Sequence, residues 1–435
     1  MHILSAIFDD YSRILAAAHP YTTRHQSTGG GWVMQLSLNK QSALRAIRAI
    51  RCGKAPQVNR PIERMAKAPL RSPQRPDGKK RWSPATAHLD WLGLPQPTQR
   101  TPLHVAVPSD PNRIRARFFS CTIYSKGLPD DAFLDIGYGI QVASPELLFI
   151  ELATVMIPQV LVLLGYELTG KYSRDASGPR LGPVTYGVPP LTTVEKIEDF
   201  IVRCHGIPGL SAARESIKYV SNNSWSPTES LIAAMAALPI ESLGYGLGRL
   251  ILNERSDAHG DNAMRHAKES RVPDMLVPDT PVGINYEGGG HLELGRIVAA
   301  AMAAAENPGS ALLQEAVNHE KDNVREKYVD DLRRTRELAS RGLVIVNATM
   351  EDLFVRYGLD TLMQQVISAA ERFSDRDFSM CWKAFDSPAV CAKRQLLIWA
   401  LLDWKPGIEY MQRFIEREYS EPRQAIEDHI IDFVL

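Results

Sequence analysis

Cysteine is scarce and unpatterned in this 435-residue chain: five residues, Cys52, Cys121, Cys204, Cys381 and Cys391, an odd number at wide spacings. With no C-x-x-C pair and no Cys/His ligand set, a disulfide framework and a structural zinc module are both excluded as organising principles. A reducing, cytoplasmic setting is expected. Long apolar runs are lacking too. The longest, Leu147 to Leu164, contains Glu151, Pro158 and Gln159, whereas a bilayer span needs about 20 residues with hardly any charge. It predicts a buried helix pair and no membrane partner. The first 18 residues have no basic leader, and Asp9 and Asp10 interrupt their apolar stretches, so no signal peptide is expected. Net charge is absent as well, with 50 basic residues against 50 acidic ones.

That neutrality is a cancellation. Residues 1 to 120 carry 19 Lys and Arg against 6 Asp and Glu, leaving 31 against 44 for the rest. A basic head precedes an acidic body. Between Lys40 and Arg81 there are 13 basic and 2 acidic residues, with prolines at 56, 61, 69, 73 and 76. A short helix over 42–51 would stack Arg45, Arg48 and Arg51 at i, i+3 spacing. The prolines after it favour an extended linker. A phosphate-neutralising arm built from Arg45, Arg48, Arg51, Lys79, Lys80 and Arg81 is one reading; a solvated tail is the other. Trp82 and Trp91 could anchor the arm to a core.

Length and pattern together predict a multidomain α+β protein. Residues 1–100 form the basic, Pro-rich region. Residues 101–225 form a small α+β module, with short apolar runs separated by Gly, Pro and Asp, then a helix opened by Ser144 as N-cap and Pro145 at N1. Residues 226–358 follow as helix, strand pair, helix, strand and helix. The short strands are expected at 275–278, 282–286 and 343–349, and Gly342 caps the long charged helix before the last. Residues 359–435 form a helical tail.

Chemistry concentrates in the segment from Arg271 to His291. Alternation along a strand puts Asn285 and Glu287 on one face, and a hairpin would bring Asp274 beside them. Oxygen ligands so arranged suit a hard divalent cation. Each residue also has a structural reading: Ser226 to Glu229 is a capping box, Asp274 a turn residue, Glu287 an exposed edge carboxylate, and Asn285 a hydrogen-bonding group.

The motif order resembles the PD-(D/E)XK nuclease superfamily, in particular its very-short-patch-repair-like branch. That branch has a helix with S-x-x-E, an Asp ahead of a strand, E-x-D-G-x-x-H, then D-x-x-R-x-x-x-L-x-x-x-G and an apolar strand. Here these read as Ser226 to Glu229; Asp274; Asn285-Tyr-Glu287-Gly-Gly-Gly-His291; and Asp331 to Gly342 with Leu343 to Val346. The resemblance covers about 130 residues, 226 to 355. It implies an α/β core with a short central sheet flanked by helices. It also implies Mg²⁺ or Mn²⁺ on Asp274 and Glu287, Glu229 completing the shell, and His291 contacting phosphate or relaying a proton. The implied activity is DNA phosphodiester hydrolysis. Asn285 stands where that pattern has an acid, and Glu287 where it has Asp, so a degenerate descendant is the companion expectation.

A second, weaker resemblance lies at 103–153. Val142, Ser144, Pro145, Glu146, Leu147, Leu152 and Ala153 resemble the segment that opens a helix in abortive-infection antitoxins. It implies a non-catalytic DNA-binding regulator with a protein partner in a defence or toxin–antitoxin system. A protein-interaction scaffold is a third reading.

Overall fold

The computed structural model describes residues 34–75, 77, 81–178, 182–253, 272–287, 301–307 and 310–402. The chain is α+β with mixed sheets. It opens with strand β1 (Leu36–Leu38) and helix α1 (Lys40–Arg51), then strands β2 (Ala66–Ala68), β3 (Leu103–Val107), β4 (Phe119–Ile123), β5 (Phe133–Gly137) and β6 (Ile140–Ala143). These six strands form one sheet in the order β2-β5-β6-β1-β3-β4. β1 is interior, parallel to β6 through Ser37 and Gln141 and antiparallel to β3 through Ser37 and Ala106.

This pairing corrects the expected boundary near residue 100. The basic segment supplies a central strand, an edge strand and a helix to the sheet of the following module. All three residues of β1 are buried, and α1 buries Ala43, Leu44, Ala46, Ile47 and Ala49. Apolar burial of that extent outweighs the charge on the opposite face of the helix. Trp82 packs edge-on to Phe119 with ring centroids 5.4 Å apart, and Trp91 to Tyr138 at 5.3 Å. Both tryptophans anchor the segment, as their position suggested.

Helix α2 (Pro145–Leu152) starts where Ser144 Oγ accepts the Leu147 N–H at 3.2 Å. Glu151, on its last turn, is fully buried and reaches back to α1. It accepts from the Lys40 N–H at 2.9 Å, Asn39 Nδ2 at 2.8 Å and the Tyr124 hydroxyl at 2.6 Å. The carboxylate thus satisfies an orphan donor at the N-terminus of α1, which the Asn39 side chain does not cap. Helix α3 (Pro158–Thr169), the small hairpin β7 (Tyr172–Ser173) and β8 (Thr185–Tyr186), and helices α4 (Val194–Arg203) and α5 (Leu210–Ser216) complete this half.

Helix α6 (Pro227–Ala237) leads to β9 (Ile251–Leu252), β10 (Met275–Leu276), β11 (Val282–Glu287), helix α7 (Ala311–Ser340), β12 (Val344–Thr349) and helix α8 (Met350–Phe354). The sheet order is β12-β11-β10-β9, antiparallel except that β12 runs parallel to β11 from Val282–Val344 to Glu287–Thr349. A parallel neighbour requires a crossover, and α7 lies within it. Gly283 allows the close sheet packing: a Cβ there would sit 2.9 Å from Pro273 Cβ and 3.0 Å from Ile345 Cδ1.

The tail begins with helices α9 (Gly358–Phe373), α10 (Ser379–Trp382) and α11 (Pro388–Leu402), which join the body. Arg394 is fully buried; it pairs with Asp360 at 2.6 Å, lies 4.3 Å from the Tyr245 ring centroid, and donates to the Leu243 and Ala384 carbonyls. One contiguous apolar cluster runs from Leu36 to Leu401 and includes residues from every part of the expected division. Among the described residues no helix is long and apolar enough to cross a membrane. All five cysteines are free thiols, and burial pushes Cys204 up to about 11.

Candidate functional site

Helix α6 is opened by Ser226, whose hydroxyl accepts the Glu229 N–H at 3.1 Å, with Pro227 at N1. Half of a capping box is therefore real. The Glu229 carboxylate, however, does not return to the Ser226 N–H. Its Oε1 accepts from Asn253 Nδ2 at 2.6 Å and its Oε2 from the Trp225 N–H at 3.3 Å, and the residue is 5% exposed. Asn253 follows β9 with φ of 48° and clasps Asn223, which has φ of 71°. Each asparagine donates its Nδ2 to the other's carbonyl, at 3.0 and 2.9 Å. Asparagine tolerates this left-handed conformation better than most residues.

Asn253 also links Glu229 to Asp274, since its N–H donates to the Asp274 carbonyl at 3.0 Å. Asp274, ahead of β10, is tied to β11 on both sides: its N–H donates to Asn285 Oδ1 at 3.2 Å, and its Oδ2 accepts the Tyr286 N–H at 2.8 Å. From α7, Arg334 places Nη2 at 2.5 Å from Asp274 Oδ1, 2.8 Å from the Val272 carbonyl and 3.4 Å from Asn285 Oδ1. Five elements, α6, β9, β10, β11 and α7, therefore bring together two carboxyl groups, two amides and one guanidinium.

The charges explain one another. Burial, followed by repulsion from the Asp274 carboxylate, pushes Glu229 up to about 8, against the N–H of Trp225, the Asn253 amide and the more distant Arg334. At neutral pH Glu229 is mostly protonated, while Asp274 has Arg334 as counter-ion. The pair has the chemistry of a proton-holding group beside a neutralised carboxylate.

The expected metal centre is not what these donors form. Glu229 and Asp274 are brought together, but among the described residues no group of three His, Cys, Asp or Glu side chains could hold a metal ion. Glu287 lies at the far end of β11, half-buried and in register with Thr349. Asn285 is 4% exposed and acts as a hydrogen-bond acceptor, the structural role weighed for it. The guanidinium lies on the carboxylate oxygen that a cation would use. In this arrangement the donor set does not fit Mg²⁺ or Mn²⁺. His291 lies outside the described residues.

The basic row on α1 is also corrected. Arg48 forms a two-bond pair with Glu167, Nη2–Oε2 at 2.6 Å and Nε–Oε1 at 2.9 Å, with side-chain exposures of 11% and 4%. Arg51 donates to the carbonyls of Glu167, Gly170 and Pro189 at 3.1, 3.2 and 2.8 Å. Both arginines staple α1 to α3 and the segment after it, so neither is available as a phosphate contact in this fold. Arg45 is half-buried and lines a groove, and Arg81 is exposed. Lys79 and Lys80 lie outside the described residues.

Sequence reasoning assigned no role to Asn253 or Arg334. Asn253 carries no signal, being one asparagine after an apolar run. Arg334 had one, its fixed place in the D-x-x-R spacing. In the first half, Glu146 on α2 is buried and accepts the Thr192 hydroxyl at 2.6 Å, a packing role. Comparison with known protein families, curated proteins and solved structures finds nothing that matches this chain.

Proposed function

We propose that residues 226–355 form a nuclease-like unit of the PD-(D/E)XK kind whose centre is closed by Arg334, and that the protein is a non-catalytic DNA-binding regulator. The observation that carries this is the Arg334 guanidinium on Asp274, with Asn285 as its neutral second acceptor. An arginine there supplies permanently the positive charge that two carboxyl groups would otherwise draw from solution. The order of elements supports the nuclease-like part: Glu229 on a helix, Asp274 before a strand, Asn285 on the next, Arg334 on the crossover helix, then a parallel strand. DNA binding is supported by the exposed Arg81, Arg100, Arg113 and Arg117 of the first half, since Arg48 and Arg51 are engaged inside. The antitoxin-like segment supports a protein partner in a defence or toxin–antitoxin system. The protein is read as cytoplasmic.

The test is nicking of supercoiled plasmid with Mg²⁺ or Mn²⁺, alongside salt-dependent binding of duplex DNA. Binding without nicking is expected. Nicking that disappears in Asp274→Ala would replace this reading with the endonuclease one. One observation favours that second reading: Glu229 and Asp274 are close enough for one charge to disfavour the other, an arrangement with a stability cost that active centres commonly maintain. Arg334→Ala distinguishes the two, because a latent nuclease gains metal-dependent nicking when the guanidinium is removed and a regulator does not.

A further inference from the structure

On the first sheet, away from the Glu229 and Asp274 cluster, a groove of about 190 Å³ opens between the first turns of α1 and the segment leading into β3. Its basic and polar wall includes Arg45, Arg100 and His104; its apolar wall includes Leu94, Pro95 and Pro97. Among the described residues no acidic side chain lines it. Neither Arg45 nor Arg100 forms an ion pair with a described residue. His104 Nδ1 is buried without a hydrogen-bond partner among the described residues. A buried polar atom left so is costly.

Both arginines are carried on ordered backbone. Arg45 projects from α1, whose opposite face is packed in the core. Arg100 lies in a closed turn: the Thr98 N–H donates to the Thr101 carbonyl, the Thr101 N–H donates to Thr98 Oγ1, and the two hydroxyls meet at 2.8 Å. Two guanidinium groups with no ion-pair partner among the described residues, lining one groove, form an anion receptor. The volume adds a second constraint. A dry cavity of about 150 Å³ admits a benzene ring, so a groove of this volume has room for a flat ring against its prolines. Burial, then the charges of Lys40 and Arg45, lower the His104 pKa, so the positive charge of the groove comes from the arginines.

We propose that this groove binds a phosphomonoester carried on a ring compound, with the phosphate on Arg45 and Arg100 and the ring against Leu94, Pro95 and Pro97. A nucleoside monophosphate and the 5′-phosphorylated end of a nucleic-acid strand share this chemistry. The groove does not depend on the nuclease-like unit, and its test has no cleavage readout.

Fluorescence anisotropy of a 3′-labelled oligothymidylate, with and without a 5′-phosphate, measures the strand end, and calorimetry with AMP measures the free nucleotide. At least tenfold preference for the 5′-phosphorylated strand, or AMP binding, is expected, and the double variant Arg45→Ala, Arg100→Ala abolishes it. AMP binding alone identifies the free nucleotide as the ligand; strand preference alone identifies the end. Absence of both overturns the proposal, as does preference or AMP binding that survives the double variant. Should the double variant melt early, Arg100→Ala decides alone, since Arg100 is exposed and its removal leaves the fold untouched.

Discussion

Arg334 Nη2 lies 2.5 Å from Asp274 Oδ1, joining the C-terminal part of the crossover helix to the residue just ahead of β10, sixty positions earlier. The side chains are 26% and 18% exposed. The contact therefore works in a medium between water and a dry interior, where removing one partner leaves a poorly solvated charge. We expect Arg334→Ala to lower stability by roughly 2–4 kcal/mol. In a double-mutant cycle by urea denaturation, Arg334→Ala combined with Asp274→Asn should cost clearly less than the sum of the single changes. Additive effects would mean that the pair is not coupled in solution.

Glu229 and Glu167 should shape the pH dependence of stability in opposite ways. For Glu229 the folded pKa of about 8 lies above the ordinary 4.5, so its contribution is full below 4.5 and is lost as pH rises towards 8. For Glu167 burial opposes ionisation, yet the Arg48 charge and hydrogen bonds hold its carboxyl below the ordinary value. Its contribution is present above 4.5 and lost as pH falls through the lowered folded value. Thermal melts from pH 3 to 9 should show Glu229→Gln flattening the alkaline limb and Glu167→Gln the acidic one. A Glu229→Gln protein that loses stability between pH 5 and 8 as steeply as the parent would refute the protonated Glu229.

Arg48→Ala and Arg51→Ala should act on folding. The Arg48 pair with Glu167 is buried, and its loss is expected to cost about 3 kcal/mol. The slope of log binding constant against log salt for duplex DNA should stay as in the parent, because neither guanidinium is free to displace a counter-ion. A slope reduced by about one unit in either variant, with melting unchanged, would restore the phosphate-contact reading.

Arg394→Met should be among the most damaging single changes in the chain. Asp360, its ion-pair partner and itself nearly buried, also accepts the Tyr245 hydroxyl at 2.7 Å. An expected cost of about 3–5 kcal/mol follows from leaving that carboxylate unpaired. Urea denaturation should show a single transition for the parent chain, since α9 and α11 share the apolar cluster of the sheets. A separate early transition for the tail would contradict this.

Local features were readable where the chemistry is local. Ser144 with Pro145, and Ser226 with Pro227, announced helix starts that the structure has, because a hydroxyl three residues from an N–H needs no distant partner. Gly342, with φ of 79°, ends α7 for the same kind of reason. The strands at 275–276, 282–287 and 344–349 were visible in apolar runs between turn residues. By contrast, the membership of β1 and β2 in the first sheet was not readable, since each is three residues long, too short for an alternating pattern to register. For α1, a count of lysines and arginines registers their number and not the face they occupy.

The sequence by itself determined the α+β class, the caps, the strand segments and the neighbourhood of Asp274, since each depends on residues a few positions apart. Tertiary structure alone decided which charges are neutralised. Glu167 meets Arg48 across 119 positions, Arg334 meets Asp274 across 60 and Arg394 meets Asp360 across 34. Charge interactions depend on distance and on exclusion of water, and neither is written in composition or spacing. In the Asp274 cluster the counter-ion is decided by where α7 sets a single guanidinium.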